Sequence, residues 1–171
     1  MYRSARRIVF FAALAAGGAS AAPLLMSDEW ARAACEAWNV DAVLPAKLHE
    51  SGWAANHKQR GHKRLRVART DCPASPPVEL RIEPRDGRAQ CVLGSKAQAP
   101  ELDTDVDYSM TAETRRWQER GRGEYGPMRA MMFGRLSFDG PMVEAMGNMG
   151  PFESFLLLVG KVPGETGECP K

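Results

Sequence analysis

The stretch PMRAMMFGRLSFDG, residues 127–140, changes pattern twice. Pro127 opens a short helix through Phe133, at the one helical position where a missing N–H costs little. Gly134 ends it. Leu136 and Phe138 then alternate with Arg135, Ser137 and Asp139, which reads as a strand closed by Gly140 and Pro141.

Working outward, residues 121–126 hold glycines that break a preceding helix, which is anchored by Trp117 and capped by Thr111, with Glu113 in its first turn. Before it, Val106 to Met110 alternates as a strand. After it, residues 142–162 read as apolar helical segments interrupted by Gly147, Gly150 and Pro151.

In the first half, Ser27 followed by Asp28 and Glu29 is a helix start, and Trp30, Ala34 and Trp38 repeat at helical spacing to near Asn39. Residues 40–55 are broken by Pro45 and Gly52. Val78, Leu80 and Ile82 alternate with Glu79, Arg81 and Glu83; Pro84-Arg85-Asp86-Gly87 is turn chemistry, and a second strand returns from Arg88 to Leu93. Residues 58–69 contain six Lys or Arg and no acid, and Leu65 and Val67 alternate with Arg64, Arg66 and Ala68. This reads as a strand with one wet, basic face, either a solvated edge kept soluble by charge or a contact for anionic lipid headgroups.

The N-terminus differs in kind. Arg3, Arg6 and Arg7 precede an apolar run from Ile8 to Ala19, and Ala19-Ser20-Ala21 supplies small residues. That order is a secretory signal peptide over residues 1–21, leaving one domain at 22–171 and an exported, periplasmic or secreted protein. The alternatives are a buried helix or an uncleaved anchor. Removing three arginines takes 23 basic residues to 20 against 21 acidic ones, so the net charge falls from +2 to −1. A basic balance therefore gives no argument for nucleic acid. Cys35, Cys72, Cys91 and Cys169 all follow the signal, and an even number in an exported chain favours disulfides. Three connectivities are open; Cys72 with Cys91, which flank the hairpin, is the first to test.

The order of strand, helix, glycine break, Pro-Met helix, MFGRLSFDG strand and apolar closing helix resembles the sterol carrier protein type-two family. The residues that carry it are 105–110, Trp117, 121–123, Pro127-Met128, 130–132, 134–136, 138–140 and the run to Val162. The match is best over 105–162. Ser27 to Trp30 also looks like the first helix of bacterial members. The resemblance implies an α+β fold: a five-stranded, mainly antiparallel twisted sheet with helices on one face, enclosing an apolar tunnel. It implies non-catalytic binding or transfer of a fatty acid, sterol-like terpenoid, quinone or phospholipid, with transient contact at a membrane surface. No catalytic residue, metal or cofactor comes with it.

Six of the nine methionines fall within residues 128–149, interleaved with phenylalanines. Met suits surfaces that must fit differently shaped apolar ligands. The nominated lining is Trp117, Met128, Met131, Met132, Phe133, Leu136, Phe138, Met142, Met146, Phe152, Phe155, Leu156 and Val159. The same residues in a closed core would give the same pattern. A copper(I) site of thioethers from Met128/Met131/Met132 and Met142/Met146/Met149 is the main rival. An accessory module docking on a lipid-metabolising enzyme through the basic strand is the third reading. His49, His57 and His62 lie in the less regular half, no serine has a GxSxG setting, and Gly121-Arg122-Gly123 lacks the rest of a phosphate loop. Asp103, Asp105 and Asp107 are spaced like part of a calcium loop but read as loop and strand-face residues.

Overall fold

The structure is a computed structural model that describes residues 21–98 and 101–171. The signal-peptide reading of residues 1–21 thus lies, but for Ala21, outside the described residues. Among the described residues, no helix is long and apolar enough to cross a membrane.

Five strands form one sheet in the order β3-β2-β1-β4-β5. They are β1 (Lys63–Arg69), β2 (Val78–Arg85), β3 (Arg88–Lys96), β4 (Tyr108–Ala112) and β5 (Ser137–Asp139). Three pairings are antiparallel and β1–β4 is parallel. The register aligns Leu80, Leu65 and Tyr108 in one row and Val78, Val67, Met110 and Phe138 in the next, giving the sheet one apolar face. The β2–β3 hairpin closes through Asp86 and Gly87, both at positive φ (49° and 70°), as a two-residue turn that follows the strand twist requires.

The helices are α1 (Asp28–Val40), α2 (Leu44–Glu50), α3 (Thr114–Gly121), α4 (Pro127–Met132), α5 (Met142–Gly147) and α6 (Met149–Lys161), with a 3₁₀ turn at Trp53–Ala55. Ser27 caps α1, its hydroxyl accepting from the Trp30 amide at 3.2 Å. The stripe Trp30, Ala34, Trp38 is buried, and Trp38 Nε1 donates to Ala89 O at 2.8 Å, stitching α1 to β3. In the broken stretch after α1, the Asp41 carboxylate accepts from the Val43 and Leu44 amides, so Pro45 falls in the first turn of α2. Trp117 Nε1 reaches Ala68 O at 3.0 Å and holds α3 on β1. α3 and α6 touch backbone to backbone: a Cβ on Gly160 would lie 2.4 Å from Gly121 Cα.

Three expectations are corrected. Thr111 is a strand residue paired with Ala68 and Ser137, and α3 starts at Thr114, whose amide is capped by the Asp71 carboxylate at 3.0 Å. The disulfides are Cys35–Cys91 and Cys72–Cys169, not Cys72–Cys91. Cys91 faces α1 across the sheet, whereas Cys72 ties the C-terminal tail to the end of β1.

The basic strand β1 is the centre of the sheet, not an edge, and its face is not wet. Lys63 and Arg69 share the inward parity of Leu65 and Val67 and are buried. Arg69 donates to the Thr114 hydroxyl and to the carbonyls of Thr166 and Glu168. On the other face Arg66 pairs with Glu79 at 2.8 Å, directly opposite in the register.

Asp107, in the loop directly before β4, is fully buried; it receives two hydrogen bonds from Arg60, at 2.7 and 2.8 Å, and one from the Arg64 amide at 2.9 Å. Burial alone would raise its carboxyl, but these donors outweigh that and hold it below the usual carboxylate range. Asp103 and Asp105 pair with Lys58.

Candidate functional site

The apolar face of the sheet and the helix layer meet along a seam. One end is lined by Trp38, Leu44, Leu48, Trp53, Leu65, Pro151, Phe152 and Phe155, and it has no free volume. The other lies beneath α4, α5 and α6, lined by Met110, Pro127, Met131, Leu136, Phe138, Ala145, Met149, Phe152 and Leu156, with a cavity of about 10 Å³. A cavity this size is at the lower limit for one water. Where the resemblance implies a tunnel, the two layers meet in a closed seam, and Phe152 belongs to both ends.

Aromatic rings fill its middle. Tyr108 lies 5.1 Å from Phe152, 5.7 Å from Phe138 and 5.8 Å from Trp53, centroid to centroid, and Trp38 meets Phe155 edge-on at 5.8 Å. One polar cluster crosses the apolar lining. Glu144, on α5, accepts from Lys63 Nζ at 2.5 Å, from Asn56 Nδ2 at 2.7 Å and from the Tyr108 hydroxyl. Trp53 Nε1 donates to the Tyr108 oxygen at 3.0 Å. Burial pushes the Lys63 ammonium pKa down, partly opposed by Glu144. Burial and then Glu144 push the Tyr108 phenol up, so its hydroxyl stays a donor. Glu144 thereby latches α5 onto the sheet.

The nominated lining residues divide three ways. Met131, Leu136, Phe138, Phe152, Phe155 and Leu156 surround the seam. Met128, Met132, Phe133, Met142 and Met146 are exposed on the outer side of α4 and α5, with Phe133 66% and Met132 74% accessible. Trp117 and Val159 line a separate cleft of about 190 Å³ beside Leu25, Gly160 and Pro163. Burial splits each methionine triad as well: Met131 and Met149 line the seam, and the other four are exposed.

Sequence reasoning placed the binding half at 105–162 and missed Trp38, Leu44, Leu48, Trp53 and Leu65. The helical stripe ending at Trp38 was the available signal. Among the described residues, no group of three or more His, Cys, Asp or Glu side chains could hold a metal ion.

Residues 46–153, from within α2 to the first turns of α6, match the family model of the SCP-2 sterol transfer family. The chain belongs to that family. The SCP-2 match starts far earlier than the stretch 105–162 and takes in the whole sheet. The crystal structure of sterol carrier protein 2 is similar in fold, with a TM-score of 0.53 at 18% identity over 81% of this chain and 99% of that one. The solution structure of a conserved hypothetical protein from Thermus thermophilus gives 0.50 at 20% identity, over 85% of this chain and 94% of that one. At these identities the likeness is one of SCP-2 fold alone. No curated protein sequence matches the chain.

Proposed function

We propose that the chain binds and carries a hydrophobic small molecule in the seam between sheet and helices, and catalyses no reaction. The ligand classes are a fatty acid, a sterol-like terpenoid, a quinone or a phospholipid. The observation that carries this reading is the roof of the seam in an SCP-2 fold. α4 and α5 are six-residue helices whose inner residues line the space and whose outer residues are exposed Met, Phe and Val. A core that only had to stay closed would not need apolar side chains on both sides of its roof.

The closed seam sets an energetic condition. Burying a C16 acyl chain yields about 12 kcal/mol at roughly 0.8 per methylene. Micromolar affinity takes about 8 kcal/mol. About 4 kcal/mol is left to offset the costs of association, of ordering the ligand and of parting α4 and α5 from the sheet. Their outer faces would rest against a membrane surface while the ligand passes. Contact by the basic strand is not needed, because Lys63, Arg64, Arg66 and Arg69 are occupied within the fold. Residues 1–21 act as the export signal in this reading, and the two disulfides favour the same oxidising compartment.

Native mass spectrometry of the protein purified from its own host is expected to show a co-purifying apolar molecule. Bare protein there, together with no binding of a fluorescent fatty acid or sterol below about 100 µM, roughly −5.5 kcal/mol, would overturn the proposal.

A further inference from the structure

The three helices that roof the closed seam are held very unequally. α6 buries Phe152, Phe155, Leu156, Leu158 and Val159. α4 buries Pro127 and Ala130 and packs Met131 against the core. α5 buries Ala145 alone. Its Met142, Val143 and Met146 are 46%, 88% and 45% exposed. An element with so few buried apolar contacts belongs to the low-stability end of a fold, the part that opens locally before the rest. Ala145 lines the seam, so displacing α5 uncovers it.

A single side chain does most of the work of keeping α5 down. Among the described residues, Glu144 is the one residue of α5 whose side chain forms hydrogen bonds. Its three donors come from three separate places: Asn56 in the loop after the 3₁₀ turn, Lys63 at the start of β1 and Tyr108 at the start of β4. None of them travels with α5. Lys63 Nζ lies 4.5 Å from the centre of the Trp53 ring and 5.2 Å from that of Tyr108, and the Tyr108 oxygen accepts from Trp53 Nε1 at 3.0 Å. The donors are therefore set by the sheet side, and only the acceptor arrives on a short, weakly packed helix. Lifting α5 takes the carboxylate away from a buried ammonium, a step that is costly because it leaves the ammonium uncompensated. The resistance to opening is thus concentrated in one contact.

We propose that α5 is the lid of the seam and Glu144 its latch, whose release from Lys63, Asn56 and Tyr108 sets the rate at which a hydrophobic ligand enters and leaves. The inference rests on the lipid-binding reading and adds its regulation. Glu144, Lys63 and Asn56 line neither end of the seam. The latch therefore re-forms over a seated ligand and must break again for release. It governs the rates of exchange in both directions and leaves affinity nearly untouched.

The test uses the full chain with its disulfides intact at pH 7 and a neutral probe, the methyl ester of cis-parinaric acid, followed by stopped-flow fluorescence. A neutral probe keeps the charges of the latch from acting on the ligand directly. Lys63→Met/Glu144→Gln removes both charges together, so no buried charge is left behind. The probe is expected to enter and leave this variant about tenfold faster than the wild type, the worth of one hydrogen bond to a charged group, with Kd within about threefold. Asn56→Ala, at an exposed position that leaves the core intact, should speed both steps by about threefold. Unchanged rates in the two variants overturn the proposal. A changed Kd with an unchanged rate of entry overturns it too, because the cluster would then act on the bound ligand and not on the lid. Amide hydrogen exchange of the ligand-free proteins tests the latch without any probe. The α5 amides should exchange about tenfold faster in the double variant while β1 and β2 keep their protection, and equal protection of α5 overturns the latch. If the wild type binds no probe, the lipid-binding reading fails, and faster exchange confined to α5 still bears the latch out.

Discussion

Lys63 has no exposed side-chain surface; its ammonium sits 2.5 Å from the Glu144 carboxylate and 4.5 Å from the centre of the Trp53 ring. Glu144 supplies the only carboxylate that pairs with it among the described residues. Taking that carboxylate away leaves a buried charge uncompensated, a change that costs about 3–5 kcal/mol. Glu144→Gln keeps the shape and the hydrogen bond from Asn56, so a loss of about 3 kcal/mol at pH 7 is expected in urea unfolding. The pH dependence has a definite sign. Lys63 in the folded protein titrates below its usual 10.5, so between those two values the unfolded chain binds more protons and stability rises with pH. Without Glu144 the depression deepens, and the window opens at lower pH. The deficit of the variant should therefore shrink between pH 7 and pH 10. A deficit that stays constant over that range would mean that Lys63 is not the charge left behind. The inward parity of Lys63 and Arg69 was legible from Leu65 and Val67, since residues two apart share a face. Their partners were not, because Glu144 lies 81 residues on and no local pattern links them.

At the scale of elements, segments with strong local chemistry were legible: the Ser27 cap, the Asp86-Gly87 hairpin, the Pro127 start and the Leu136/Phe138 strand all appear where periodicity and turn residues put them. The start of α3 was not. Thr111 has the chemistry of a cap, but pairing on both sides of β4 claims it, and the capping carboxylate comes from Asp71, far back in the chain. Glycines show the same division between local propensity and packing. Gly150 lies inside α6 with nothing within 4 Å of an added Cβ, whereas a Cβ on Gly160 would meet Gly121 Cα at 2.4 Å. Helix propensity alone makes both Gly→Ala changes stabilising, by up to about 1 kcal/mol. Packing reverses the second, because two backbones must separate, at a cost of about 2 kcal/mol. Thermal unfolding of the single variants should give opposite signs, Gly150→Ala up and Gly160→Ala down. A rise in both would show that α3 and α6 do not meet at these glycines.

For the whole molecule, the α+β class and the five-stranded sheet were reachable through the resemblance, and connectivity was not. Four cysteines permit three pairings, and only the docking of α1 on β3 and of the tail beside β1 decides among them. The closed seam was equally out of reach, since a filled core and a lined tunnel use the same residues. Cys35–Cys91 spans 56 residues and Cys72–Cys169 spans 97. Loop-closure entropy gives each bond about 4 kcal/mol, and the two loops differ by only about 0.5 kcal/mol. Cys35→Ser/Cys91→Ser and Cys72→Ser/Cys169→Ser should therefore each lose about 4 kcal/mol in urea unfolding. Removing both bonds takes about 8 kcal/mol from a domain whose total stability is of the order of 5–15 kcal/mol. The fully reduced chain is thus expected to be largely unfolded at 37 °C, and near-UV circular dichroism before and after reduction measures it. Non-reducing peptide mapping should link Cys35 to Cys91 and Cys72 to Cys169; a Cys72–Cys91 peptide would overturn the pairing and the estimate built on it. The two disulfides suggest an oxidising, exported environment, and unfolding on reduction would make that environment a condition of the fold.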